Sequence, residues 1–255
     1  MSKHLFSHWD HVSRRLRSGP ALFLFDFDGT LAPIAKDPAR ARLAPDVKAS
    51  LSRLSHRAGF RVGVVSGRAL REVRRKVALP GLILSGNHGL EISGLGEKFI
   101  HPLARAQAAR LKRLAAVLRK DVSSFPGVIV EWKGVSISVH YRRLRPASAR
   151  AFQKFFRHWV RQRAGSLTIR PGKKVFDILP VADWNKGSAV RRILRRLKPR
   201  TALYVGDDRT DWDAFRALRP GNLSVSIGPI VAPGAQYRLK NTREMGALLR
   251  RMERL

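Results

Sequence analysis

The feature that most constrains this chain is the apolar run Ala21–Phe25, which ends directly in Asp26 and Asp28. A short, continuously apolar segment reads as a strand buried on both faces, which belongs in a parallel sheet covered by helices. Its surroundings keep that rhythm. Pro45–His56 places Val47, Leu51 and Leu54 on one helical face, Phe60–Val65 reads as a second buried strand, Leu70–Val77 as a helix and Leu82–Leu84 as a short strand. Towards the C-terminus Lys186–Leu197 is helical, Ala202–Val205 a strand, Trp212–Leu218 a helix and Leu223–Ile227 a strand. Such alternation predicts an α/β fold with a doubly wound parallel sheet.

The middle of the chain has another grammar. Gln107–Val122 reads as a helix, and Val128–Trp132 and Val135–Tyr141 as a hairpin turning at Lys133-Gly134. Ala147–Arg163 is helical, and Leu167–Arg170 and Val175–Leu179 read as strands around a Pro171-Gly172 turn. Antiparallel strands with helices inside a parallel unit predict an inserted α+β domain. We place the core at 1–98 and 179–255 and the insertion at 99–178.

Four segments follow strands, at the edge where open α/β sheets collect ligands. In Asp26-Phe27-Asp28-Gly29-Thr30, two carboxylates end a buried strand, which is costly unless a cation or hydrogen bonds compensate; the plainer reading is a turn allowed by Gly29. Ser66-Gly67-Arg68 opens a helix and offers either an N-cap or backbone N–H groups for an anion. Lys186 starts another helix, where a lysine is commonly just solvated. Asp207, Asp208 and Asp211 crowd one loop of a chain with 18 acidic residues against 51 basic ones, and oxygen ligands in that number suit Mg²⁺. Together these groups suit phosphoryl transfer: a carboxylate nucleophile, a second carboxyl as acid and base, and cations on the phosphoryl oxygens.

Composition narrows the partners. With no cysteine there is no disulfide or thiolate chemistry. No apolar run is long enough for a bilayer, and Met1–Pro20 lacks the apolar stretch of a secretory signal, so a cytoplasmic protein is expected. The formal net charge of +33 admits a nucleic-acid partner, but the arginines are spread over amphipathic helical patterns such as Arg71–Lys76 and Arg191–Arg200. Solvated helix faces are therefore expected, with no specific nucleic acid, and a basic field that steers anionic substrates. A monomer is the working expectation.

In order, these motifs resemble those of the haloacid-dehalogenase-type (HAD) phosphatases from about Leu22 to Ile227. The resemblance implies a HAD-like core and an inserted cap. It further implies Asp26 as nucleophile, Asp28 as general acid/base, and Ser66, Gly67 and Lys186 on the phosphate. Mg²⁺ would be held by Asp26, the Asp28 carbonyl and Asp207, with Asp208 and Asp211 in support. More narrowly, Gly86-Asn87-His88-Gly89-Leu90-Glu91, Glu131-Trp132-Lys133-Gly134 and Arg170-Pro171-Gly172-Lys173-Lys174-Val175-Phe176-Asp177 are similar to stretches of the trehalose-6-phosphate phosphatases. That likeness implies trehalose 6-phosphate as substrate. Arg68, Asn87 and His88 would then join the substrate site, and Glu131, Lys133 and Asp177 would bond sugar hydroxyls. Two positions depart from the family pattern, Asp177 and Trp212, where glutamate is usual. Sucrose phosphate and glucosyl- or mannosylglycerate phosphates are the alternative substrates.

Overall fold

In the computed structural model, residues 3–35, 37–163, 165, 167–172, 174–180, 183–229 and 231–255 are described. The chain divides into two units, Met1–Phe99 with Trp184–Leu255, and Ile100–Asp183.

The first unit opens with α1 (Trp9–Arg17) and β1 (Ala21–Phe25), followed by α2 (Pro45–His56), β2 (Phe60–Val65), α3 (Leu70–Val77) and β3 (Ile83–Gly86). A hairpin, β4 (Glu91–Leu95) and β5 (Glu97–Ile100), leads to the second unit. That unit holds α4 (Pro102–Asp121), β6 (Ile129–Trp132), β7 (Ile137–His140), α5 (Pro146–Arg163), β8 (Leu167–Gly172) and β9 (Val175–Pro180). The chain then completes the first unit with α6 (Lys186–Leu197), β10 (Thr201–Gly206), α7 (Asp211–Ala217), β11 (Leu223–Ile227), β12 (Tyr237–Leu239) and α8 (Thr242–Met252).

Among the described residues the first unit forms an eight-stranded sheet in the order β12-β11-β10-β1-β2-β3-β4-β5. From β12 to β3 the strands pair in parallel, and β3–β4 is antiparallel. Alternation along β1 sorts its side chains: Phe23 and Phe25 join one core with Leu16, Leu51 and Leu248, while Leu22 and Leu24 join another with Val190, Ile193 and Phe215. Both faces are thus apolar and both are covered, as the continuous strands require. From β1 the chain winds outward through β2 and β3, and through β10 it winds the other way. The point of reversal, at the C-terminal ends of β1 and β10, is where ligands gather in such sheets.

The second unit is an antiparallel sheet, β6-β7-β9-β8, with a core built around Phe152, Phe156, Trp159, Leu111, Ile137 and Ile178. One expectation needs correcting. Pro171 and Gly172 are not a turn: they extend β8 and pair with Phe176 and Val175. Proline is tolerated there because β8 is an edge strand and its missing N–H faces away from the ladder. The reversal passes through Lys174, at φ +63°; Lys173 lies outside the described residues.

Where the first unit is interrupted, Phe99 and Trp184 lie with ring centroids 5.4 Å apart. The guanidinium of Arg192 covers Phe99 at 3.9 Å, and Trp184 Nε1 donates to the Gly89 carbonyl at 2.8 Å.

Candidate active site

Asp26 is the first residue past β1, and its amide donates to the Val205 carbonyl at 2.9 Å, which carries the β1–β10 pairing into the loop. Its carboxylate is 4% exposed at residue level and accepts, through Oδ1, a hydrogen bond of 2.7 Å from Lys186 Nζ. Lys186 begins α6, whose start is fixed by Asn185: its side chain accepts from the Ser188 amide at 3.0 Å. The same ammonium reaches Asp211 Oδ1 at 2.8 Å. Asp211 is fully buried, and its Oδ1 also accepts from the Tyr204 hydroxyl at 2.7 Å. Its Oδ2 accepts from the amides of Asp207 and Asp208, each at 3.0 Å. Four donors fill the roughly four acceptor positions of a carboxylate. Asp211 therefore shapes the loop and orients Lys186.

Burial drives the Asp26 carboxyl well above its ordinary 3.8, against the pull of Lys186 and with the push of Asp211 and Asp207. For Lys186, burial acts downward but is outweighed by Asp211 and Asp26, so the ammonium is held above the usual lysine value. The Tyr204 hydroxyl is raised by burial and by Asp211, which keeps it a donor.

Asp26, Asp207 and Asp211 each place a carboxylate oxygen within 4.8 Å of the others. Three carboxylates around one ammonium leave surplus negative charge in a largely buried space, and an all-oxygen donor set fits a hard divalent cation. Because the acceptor positions of Asp211 are filled, Asp26 and Asp207 are the carboxylates that fit as ligands. Thr30 Oγ1 donates to Asp207 Oδ1 at 3.4 Å. Gly29, at φ +85°, brings the backbone so close to Asp207 that a Cβ would collide with its carboxylate. Asp208 is exposed and contributes its amide to Asp211.

The neighbouring strand supplies the next groups. Ser66 follows β2, whose Val64 is in register with Phe25, so Ser66 and Asp26 share one edge of the sheet. Ser66 is not the cap of α3: the helix begins at Leu70, and Ser66 Oγ accepts from the Arg68 amide at 3.2 Å within the preceding loop. Gly67 packs against His88, where a Cβ would meet the ring at 2.6 Å. Asn87 and His88 are buried at φ +51° and +57°. Asn87 donates through Nδ2 to Glu91 Oε2 at 2.5 Å and through its amide to the Arg68 carbonyl at 2.6 Å. Asp28, beyond β1, is gripped by Arg68 through both carboxylate oxygens.

Within the second unit, Lys133 and Asp177 are buried together, with Lys133 Nζ donating to Asp177 Oδ1 at 3.1 Å. Ser138 Oγ donates to the same oxygen. Glu131 Oε2 lies 3.1 Å from His140 Nε2. The hairpin register explains both meetings, because Ser138 stands opposite Asp177 and also opposite Glu131.

Sequence reasoning gave no role to Thr30, Tyr204, Asn185, Ser138 or His140. Tyr204 carried a signal, a phenol inside an otherwise aliphatic strand. Ser138 and His140 carried one only once the strand pairing was known.

A sequence profile described as trehalose-phosphatase matches residues 24–242. A trehalose-phosphate phosphatase of Mycobacterium tuberculosis is 36% identical over 214 residues, covering 82% of this chain and 54% of that protein. The Mycobacterium marinum protein of the same name matches with the same identity and coverage. The chain thus spans about half the length of the curated relatives it matches. Among solved structures, a trehalose-6-phosphate phosphatase related protein superposes with a TM-score of 0.80 at 25% identity, over 91% of this chain and 97% of that one. The C-terminal domain of the C. albicans trehalose-6-phosphate phosphatase superposes with a TM-score of 0.82 at 23% identity, over 100% and 99%, a likeness of fold.

Proposed function

The chain belongs to the trehalose-phosphatase family, and from that membership we propose that it hydrolyses trehalose 6-phosphate to trehalose and phosphate. The observation that carries the proposal is the buried bridge from Lys186 to Asp26 and Asp211 at the sheet's reversal point, beside Asp207. It sets a carboxylate, a fixed ammonium and a cation-binding oxygen set at one edge.

In the proposed sequence, an Asp26 carboxylate oxygen attacks phosphorus. The bond from phosphorus to the sugar oxygen breaks, and that oxygen takes a proton from the Asp28 carboxyl. Water then attacks the aspartyl phosphate and returns its proton to Asp28, and the bond from phosphorus to Asp26 breaks to release phosphate. Lys186 and the Ser66 hydroxyl donate to the phosphoryl oxygens as charge builds on them. A divalent cation, Mg²⁺ by the hardness of the donors, would be held by Asp26, Asp207 and the Asp28 carbonyl and would neutralise charge on the transferring group. We assign the sugar hydroxyls to Glu131, Lys133 and Asp177.

Phosphate release with Mg²⁺ tests the reading on trehalose 6-phosphate, sucrose phosphate and glucosyl- and mannosylglycerate phosphates. Trehalose 6-phosphate is expected to lead by at least about a hundredfold in kcat/KM, because a site built to bond hydroxyls can discriminate by about 10⁴-fold or more when one of its groups is left unpaired. A flat profile removes the substrate assignment. Asp26→Asn is expected to abolish turnover with an unchanged circular dichroism spectrum, and a variant that still turns over would remove Asp26 as nucleophile.

A further inference from the structure

The Arg68 guanidinium is closed on Asp28. Nε donates to Asp28 Oδ2 at 2.6 Å and Nη2 to Asp28 Oδ1 at 2.7 Å, the two-point geometry that fixes a carboxylate in angle as well as distance. Nη2 also donates to the Pro38 carbonyl at 2.8 Å, Nη1 meets Glu72, and the guanidinium lies 5.5 Å from the centre of the Phe27 ring. The side chain of Arg68 is 9% exposed, that of Asp28 38%. The clamp is itself braced. Glu72 stands in the first turn of α3 and faces Lys76 at 3.7 Å, while Lys76 donates to the Ala39 and Ala41 carbonyls, each at 2.8 Å. A ladder of Arg68, Glu72 and Lys76 thus ties the loop after β1 to α3 and ends on Asp28.

Asp28 needs such a tie. It is a short, partly exposed carboxylate between buried neighbours, and proton transfer demands that it stand within hydrogen-bond reach of the leaving oxygen. We infer that Arg68, braced by Glu72, is a positioning residue for Asp28, acting on protonation of the leaving group rather than on binding of the phosphate. The inference rests on the reading of Asp28 as acid and base.

Leaving-group dependence separates this role from a structural one. A sugar alkoxide must be protonated as it departs, whereas p-nitrophenolate leaves without help. Arg68→Ala in the full chain with Mg²⁺ is expected to lower kcat/KM on trehalose 6-phosphate, which reports the steps up to departure of the sugar, about a hundredfold, the low end of what a general acid supplies. The same variant is expected to lose less than about fivefold in kcat/KM on p-nitrophenyl phosphate, where that assistance is not needed. Hydrolysis of the aspartyl phosphate also uses Asp28 and is common to both substrates, so kcat is expected to fall for both. Glu72→Gln, which keeps the shape of the brace, should shift the ratio of the two substrates in the same direction by a smaller factor, and it carries the test if Arg68→Ala does not fold. Arg68→Lys, losing the two-point grip but not the charge, should recover only part of the loss. Equal losses of kcat/KM on the two substrates, or an unchanged kcat/KM on trehalose 6-phosphate, overturn the positioning role alone. An unaltered chain that releases phosphate from neither substrate overturns the phosphatase reading itself.

Discussion

Asp211 spends its buried carboxylate on four donors, and each has a different consequence. The two amides fold the loop that presents Asp207, Lys186 is aimed at Asp26, and the Tyr204 hydroxyl closes the set. Tyr204→Phe removes one donor to a buried charge and is expected to cost about 1.5–3 kcal/mol. Urea unfolding measures it, and a variant as stable as the parent would show that the hydroxyl contributes nothing. Much of this was legible: Asp207 and Asp211 stood out because acidic residues are scarce in so basic a chain, and Asp26 because it ends a buried strand. What each one does was not. The proposed ligands, the loop organiser Asp211 and the proposed acid are one residue type, and their partners are what distinguish them. Asp177 makes the same point, since its short side chain is matched by Ser138 from the facing strand.

At the scale of elements, the start of α6 does the positioning. Asn185 at its N-cap sets the first turn, and Lys186 is the residue that turn delivers to the site. Asn185→Ala is expected to destabilise by about 1 kcal/mol and to lower kcat more than KM, because the ammonium shifts while the carboxylates stay. Denaturation together with steady-state kinetics checks both, and a change in stability with unaltered kcat would separate cap from catalysis. The buried strands β1 and β10 could be read from apolar runs, the pattern that burial on both faces favours, whereas β11 alternates Leu223, Val225 and Ile227 with two serines that are buried as well. The hairpin of β4 and β5 and the strand β12 could not. They sit towards the sheet's two ends, where short mixed segments gain their structure from the strand already beside them. Pro171 misled for a related reason: a turn-former in most settings, it is harmless on an edge.

Across the whole molecule, the +33 charge is distributed with some order. Arg14, Arg15 and Arg17 close α1, Arg74, Arg75 and Lys76 close α3, Arg195 and Arg196 close α6, and Arg250 and Arg251 close α8. Cations at helix C-termini complement the carbonyl ends, so part of the excess has a local structural use. The rest raises a long-range field that favours encounter with an anionic substrate. On that account kcat/KM should fall several-fold as salt rises from about 20 to 200 mM, with kcat nearly constant. A kcat/KM indifferent to salt would remove steering from the account.

The rings of Phe99 and Trp184, where the first unit breaks off and resumes, have a kinetic meaning. Ala21 must find Thr201 to pair β1 with β10, across a stretch of chain that includes the entire second unit. A search over such a distance is slow while the intervening chain is loose. If the second unit condenses first on its own aromatic core, and Phe99 and Trp184 meet, the excursion becomes a tied-off branch and the two halves of the large sheet arrive as near neighbours. Refolding of the centre around Asp26 would then be timed by a domain that contributes no strand to it. Phe156→Ala, which damages only the second unit's own core, should slow the return of activity after dilution from denaturant.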